Sequence, residues 1–353
     1  MHDHLVELDV IRGAVQLACR APSLHNSQPW RWVLDRWGLR LYLDRGRIIR
    51  ATDRSGREAI ISCGAVLDHL RVAMLAAGWV SHIERFPNPD DPDHLASVRF
   101  SRLARLGDRS ADEFLAAYRR RADVILLRHT DRRPFGAPPD PVGVHQLLAA
   151  AAADTADTAD TEVHLDVIAP EDRPRLVEAS RIAESQRAAD TPYFLELSWW
   201  TVGYDLTEGI PHGVLESAEP QRVDVGRVFV AGSGQHRPDP SDNPEDHSMI
   251  VVLSTNEDTP PAALRCGEAL SAVLLEATMA GLGTCPLTHV TELPAGREIV
   301  AELIGRTAAI PQVLIRVGQV PPLREAPTPT PRRPLDEVLQ IDPTPGSAPS
   351  RQG

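Results

Sequence analysis

Ala21-Pro22-Ser23-Leu24-His25-Asn26-Ser27-Gln28-Pro29-Trp30 joins an amphipathic pattern over Leu5 to Arg20 to an apolar stretch over Arg31 to Leu34. The pattern before it predicts a helix and the stretch after it a strand. Pro22 and Pro29 cannot continue a helix, and each restricts the residue before it, so the loop between them has a fixed direction. Ser23 and Ser27 supply hydroxyls, and Asn26 and Gln28 supply amides. Such groups can donate to the carbonyls, and accept from the ring N–H, of a flat heteroaromatic ligand. An ordinary helix-to-strand turn accounts for the loop equally well on these grounds alone, because Pro, Ser and Asn are common in turns.

A repeat lies downstream. Cys63-Gly64-Ala65-Val66-Leu67 opens a helical pattern that closes at Ala77-Gly78, and Cys266-Gly267-Glu268-Ala269-Leu270 opens another that closes at Ala280-Gly281. The step from Cys63 to Gly78 equals that from Cys266 to Gly281, which points to a duplicated unit. Each helix is apolar nearly all round with small residues along one stripe, as a central buried helix would be. Gly78 and Gly281 stand where a left-handed C-cap is wanted.

Further strands are predicted at Leu39 to Leu43, Trp79 to Arg85, Leu95 to Leu103, Val163 to Ile168, Met249 to Ser254 and Pro311 to Gly318. Helices are predicted at Glu113 to Arg121, Val142 to Ala151, Pro174 to Ala189 and Pro294 to Ile304. The class is α+β, with long helices on a sheet. Ala153 to Thr161 is low-complexity and reads as an exposed loop tip. Gly232 to His247 reads as irregular, and the tail 345–353 as disordered.

Composition narrows the function. The chain has 353 residues, 42% hydrophobic and 24% charged, which fits a globular protein of two ordinary domains or one large fused unit. No apolar run approaches the length of a membrane span without Arg or Asp in it, and Met1-His2-Asp3-His4 does not open a signal peptide, so a cytoplasmic protein without a membrane partner is expected. A formal charge of −12 argues against a nucleic-acid partner. All 37 basic residues are Arg, which excludes a Schiff-base lysine and leaves guanidinium forks or backbone amides to hold any anionic cofactor. Cys19, Cys63, Cys266 and Cys285 form no CxxC and read as buried reduced thiols. No metal-ligand spacing is found; His2-Asp3-His4 reads as a frayed terminus.

Three more segments carry chemistry. Arg128-His129-Thr130-Asp131-Arg132-Arg133-Pro134-Phe135 concentrates guanidiniums suited to a phosphate monoester, although a solvated basic patch has the same composition. Pro331-Arg332-Arg333-Pro334-Leu335-Asp336-Glu337-Val338 is a second Arg cluster, whose Leu335 and Val338 suggest docking instead of a free tail. Gly281-Leu282-Gly283-Thr284-Cys285-Pro286-Leu287-Thr288-His289 has a G-x-G too short for a dinucleotide fingerprint, and it follows a helix instead of opening one.

The loop at 21–30 is similar to the APSxxNxQPW signature of the FMN-dependent nitroreductase superfamily. The resemblance implies that Pro22, Ser23 and Asn26 touch a flavin, with Leu24 beside them. Arg128, His129, Thr130 and Arg132 resemble the family's R-R/H-S-x-R-x-F opening, which grips the FMN phosphate and ribityl chain. One extra residue before Phe135 leaves the second basic role open between Arg132 and Arg133. Arg332 and Arg333 fall on the C-terminal run that returns to the phosphate, and Pro286, Leu287, Thr288 and His289 on the loop that passes the flavin N5 edge. Thr288-His289 departs from the usual Glu-Gly, and a His there would reshape substrate access.

The first half has the Pro-Ser-Asn loop without an Arg-rich opening, and the second half the reverse. The pattern resembles the Acg-type nitroreductase-like proteins of actinobacteria. It implies a nitroreductase-like fold of two fused, diverged halves, 1–122 and 123–344, acting as a pseudo-dimer with one FMN per chain and a candidate lid at 204–247. Tyr193 to Thr201 could wall a flavin face, and Trp199 and Trp200 fit core packing equally well. The implied function is an oxidoreductase without a catalytic side chain, moving hydride from NADPH or NADH through FMN to a nitroaromatic or quinone. The alternative is an FMN sequestration or storage protein closed by its lid. As a pseudo-dimer the chain is complete as a monomer, with further dimerisation open.

Overall fold

The structure is a computed structural model that describes residues 6–103, 109–155, 163–202, 207–210, 223–227, 245–320 and 329–342. Helix α1 (Leu8–Ala18) runs through a short 3-10 turn at Leu24–Asn26 into the hairpin β1 (Trp30–Asp35) and β2 (Gly38–Leu43). Helix α2 (Arg57–Ala76), β3 (Trp79–Arg85), β4 (His94–Arg102) and α3 (Arg109–Leu127) follow. Next come α4 (Pro141–Ala153), β5 (His164–Val167), α5 (Arg173–Ala188), α6 (Thr191–Val202) and β6 (Met249–Thr255). The chain then forms α7 (Pro260–Met279), β7 (Gly283–Leu287), α8 (Pro294–Leu303) and β8 (Ile310–Gly318). A single turn, α9 (Leu335–Val338), leads into β9 (Leu339–Ile341).

The α+β class expected from the sequence is observed. One sheet has the order β3-β4-β2-β1-β9 and the other β5-β6-β8-β7. All neighbours pair antiparallel except β9, which lies parallel to β1 with Trp32 opposite Leu339. That pairing brings the end of the chain back to the first sheet and sets 331–333 against the loop at 21–30. The boundary expected at 122/123 falls inside α3.

Helices α2 and α7 form the centre, packed along each other more extensively than any other pair of elements. Both are 20 residues long and start six residues before their Cys, so the repeat extends further toward the N-terminus than the Cys-Gly match indicates. For α7 the start is set by Thr259, whose side chain accepts from Ala262 N, and by the prolines at the first turn. For α2 the cap comes from upstream: Asp53 Oδ2 accepts from Ala59 N at 2.9 Å. Gly78 (φ +82°) and Gly281 (φ +72°) close the two helices in the left-handed conformation, as expected.

Helix α2 is long and apolar enough to cross a membrane by composition, carries Asp68 and Arg71 as the sequence reading has it, and lies buried in the core against α7. One expectation needs correction. Trp199 is neither core nor cavity wall: it is 73% exposed on the outer side of α6. All four cysteines are free and buried. Most of 232–247, most of 153–161, most of the candidate lid at 204–247, the tail 345–353 and His2-Asp3-His4 lie outside the described residues.

Candidate functional site

The loop after α1 holds an unusual backbone. His25 (φ 47°), Asn26 (φ 57°) and Gln28 (φ 51°) all occupy the left-handed region, which non-glycine residues seldom adopt. Such strain persists only where neighbours over-determine it. Here Ser23 Oγ accepts from Gln28 N (3.0 Å), Leu24 N donates to Ser62 Oγ (3.2 Å), and Arg47 Nε donates to Ser27 O (2.6 Å). The amides do less for a ligand than the sequence suggests. Asn26 Nδ2 donates to the carbonyls of Gly209 and Pro331, both at 3.0 Å. Gln28 Nε2 donates to Thr207 O (2.8 Å), and its Oε1 accepts from Arg333 N (2.9 Å). Asn26 Oδ1 stays buried without a partner.

The second segment lies against β7. Asp131 N donates to Thr284 O (3.0 Å) within a parallel bridge between Thr130 and Thr284. Contrary to the loop expected there, 283–287 is a strand, with Pro286 opposite Ile315 and Leu287 opposite Leu314 of β8.

These pieces surround a cavity of about 260 Å³. Pro22, Ser23, Leu24 and Asn26, then Arg128, His129, Thr130 and Arg132, then Pro286, Leu287 and Thr288, and finally Arg332 all line it. Arg333 does not: its side chain turns toward Asp44 (3.9 Å) and Glu337 (3.6 Å). Arg132 and Arg133 differ in their surroundings. Arg133 is locked onto Asp131 at 2.6 Å, whereas Arg132 lines the cavity.

Six arginines but one carboxylate, Glu58, line the cavity among the described residues. Arg316 is neutralised by Asp246 (2.8 Å) and Arg227 by Glu292. Arg20, Arg128 and Arg332 form a different group, with no carboxylate paired to any of them among the described residues. Burial, and secondarily Arg20, pull the Arg128 guanidinium down to about 10. Burial likewise pulls Arg332 down to about 9, with Arg20 and Arg128 adding to the effect. Arg332 spends its donors on backbone carbonyls at the end of α1, including Cys19 O (2.9 Å) and Arg20 O (3.1 Å). There it acts as a cationic C-cap. Arg128 Nε and Nη1 are buried with no partner among the described residues.

Beyond β7, His289 is fully buried, with Nε2 at 2.7 Å from Ser180 Oγ. Burial, and secondarily Arg227, push its pKa down to about 3, so it is a neutral imidazole. Thr288 Oγ1 donates to Glu292 Oε1 (2.9 Å) and accepts from Arg227 Nη2 (3.3 Å). Sequence reasoning missed Arg20, Glu58 and Arg227. A cation directly before the 21–30 loop and a lone acid in the first turn of an apolar helix were the available signals for the first two.

The chain is 53% identical over 344 residues to "Putative NAD(P)H nitroreductase acg" of Mycobacterium tuberculosis, covering 97% of this chain and 98% of that one. The chain belongs to the Acg-type nitroreductase family. A further member, "Uncharacterized protein Rv3127" of the same organism, is 50% identical over 341 residues, covering 95% of this chain and 94% of its own length. No protein-family model matches this Acg-type chain. Among solved structures, the FMN-dependent nitroreductase NfnB from Mycobacterium smegmatis in complex with NADPH is similar at a TM-score of 0.41 and 16% identity, covering 64% of this chain and all of that one. A nitroreductase with bound FMN from Desulfitobacterium hafniense gives a TM-score of 0.39 and 14% identity over 61% of this Acg-type chain and 94% of its own length.

Proposed function

We propose that this chain binds one FMN in the cavity and passes electrons from NADPH or NADH to a small acceptor such as a nitroaromatic or a quinone. The observation that carries the reading is Arg128, a buried guanidinium beside two more cations, with two unpartnered nitrogens and no paired carboxylate among the described residues. A buried charge left uncompensated is costly, and a phosphate monoester supplies both the charge and the acceptor oxygens.

In this reading Arg128 and Arg20 hold the phosphate, and Arg332 adds charge while fastening the end of α1. His129, Thr130 and Arg132 flank the ribityl chain. Pro22, Ser23, Leu24 and Asn26, with Pro286, Leu287 and Thr288, hold the ring, and the unpartnered Asn26 Oδ1 accepts from a ring N–H. When bound, FMN supplies the hydride chemistry; the protein orients it, neutralises its phosphate and excludes water.

One site per chain follows from a difference between the repeats. The place of Ser62 in α2 is taken in α7 by Arg265, whose Nη1 donates to Thr155 O (3.1 Å). Ser62 accepts from Leu24 N and lines the cavity, whereas Arg265 does not line it. We read the chain as two halves meeting at α2 and α7, acting in the cytoplasm and complete without a second subunit.

A second reading, FMN sequestration with little reductase activity, is favoured by one observation. Thr207 and Gly209 are fastened to the 21–30 loop by Gln28 and Asn26, and Glu208 pairs with Arg47. Ile210, Val223 and Arg227 from the same candidate lid line the cavity. Anaerobic stopped-flow absorbance at the flavin's visible band, with NADPH and then NADH, separates the readings. Rapid bleaching supports the reductase, and a yellow protein that stays yellow supports sequestration. A colourless protein that cannot be loaded with FMN overturns both.

A further inference from the structure

Glu58 is the one carboxylate lining the cavity among the described residues, and burial disfavours its charge more than the paired Arg57 favours it. It stands in the first turn of α2 and is 3% exposed. Its neighbour Arg57 touches Oε1, but that guanidinium is shared with Gln312 Oε1 (2.7 Å) and Thr291 O (3.0 Å). Oε2 has no partner among the described residues. The other charged groups facing it are Glu292 from the turn after β7, Asp53 from the turn before α2, and Arg227 from 223–227. Asp53 already caps the helix, so the α2 N-terminus does not need Glu58 as an anion. Burial raises the carboxyl to about 8, against Arg57, with Glu292 and Asp53 adding to the rise.

We propose that Glu58 enters the cavity as a neutral carboxylic acid and donates a hydrogen bond from Oε2 to an acceptor atom of the bound flavin ring. The proposal rests on the FMN reading above and makes Glu58 a specificity-determining residue of the same site. A carboxylate there would set an acceptor against an acceptor and add repulsion, so ligand affinity is linked to this one proton. The protonated form is present below about pH 8, and its contribution is lost as pH rises through that value.

The test is FMN affinity, read by quenching of flavin fluorescence on FMN-free protein between pH 7 and 9, where the phosphate stays a dianion throughout because its second pKa is about 6. Wild type should hold its affinity to about pH 8 and then weaken, approaching tenfold per pH unit. Glu58→Gln keeps a neutral donor and should lose the part of the decline centred near pH 8, leaving the part due to Arg332, which burial holds at about 9. Calorimetric titration of wild type and Glu58→Gln in two buffers of different ionisation enthalpy gives a second reading: near pH 9, FMN binding to wild type should take up close to one proton more than binding to the variant. No FMN binding at pH 7 would sink the FMN reading itself. The same pH dependence and the same proton uptake in wild type and Glu58→Gln overturn the role of Glu58 alone.

Discussion

Gly64 of α2 and Gly267 of α7 meet backbone to backbone: a Cβ on either would stand 2.8 Å from the other's Cα. It would also press on a carbonyl, Leu264 O at 2.0 Å for Gly64 and Ile61 O at 1.9 Å for Gly267. The two repeats therefore touch at equivalent residues, and the cavity depends on that contact because Glu58, Ile61 and Ser62 of α2 and Leu270 of α7 line it. Gly64→Ala and Gly267→Ala should each cost about 3 kcal/mol, since rigid backbone has to move apart. The double variant should cost less than the sum, because one displacement relieves both clashes. Urea unfolding of the three variants checks this, and full additivity would count against a shared crossing.

Arg128 separates a ligand role from a structural one. Arg128→Leu removes an unpaired buried charge, so the FMN-free protein should be as stable as wild type or more so. FMN affinity should fall about tenfold to a hundredfold, the size of a lost charged hydrogen bond. Arg333→Ala, outside the cavity lining, should bind FMN within about threefold of wild type. Fluorescence titration and thermal unfolding of the two variants distinguish the roles, and equal losses of affinity would refute the assignment.

Legibility in the sequence followed how local the signal was. The 21–30 loop could be read because two prolines and four polar side chains stand in a row, yet its left-handed residues were not visible, as neither His25 nor Gln28 advertises a positive φ. Strand β7 was missed because Gly283 and Pro286 imitate a loop; its ladder comes from β8, far along the chain. Strand β9 is three residues held by β1. Arg332 and Arg333 are indistinguishable as neighbours in sequence. Only the return of the chain to β1 decides that Arg332 caps α1 while Arg333 turns to Asp44 and Glu337. Glu58 looked like an ordinary first-turn acid until the cavity around it was seen.

Asp246, just before β6, ties three parts of the chain together. It accepts from Phe135 N (2.8 Å) and pairs with Arg316 and Arg173. Burial works against its charge, but hydrogen bonding and attraction from Arg316 outweigh that and hold its pKa below the usual carboxylate value. Asp246→Asn leaves Arg316 buried without its counter-ion and should cost about 3–5 kcal/mol at pH 7. The gap between wild type and variant should persist above about pH 4 and close as pH falls through the folded value, as linkage requires for a depressed carboxylate. Urea titrations from pH 7 down to 3 follow both features, and a constant gap throughout would exclude the ionised pair.

Three buried imidazoles set the acid limit. Burial, then Arg227, holds His289 at about 3. Burial, then Arg128, holds His69 at about 3, and burial, then Arg227 and Arg132, takes His25 well below its ordinary value. In the unfolded chain each titrates near 6.5, so below that pH the unfolded state binds protons that the folded state refuses. Each of these histidines therefore withdraws about 2 kcal/mol of stability between pH 7 and 5, partly offset by Glu58, whose raised carboxyl takes up its proton in the folded state first. His289→Gln keeps a polar group near Ser180 and should be spared about 2 kcal/mol of that withdrawal relative to wild type. Urea midpoints at pH 7, 6 and 5 for wild type and variant measure it. The same change with pH in wild type and His289→Gln would mean that His289 is already charged in the folded protein.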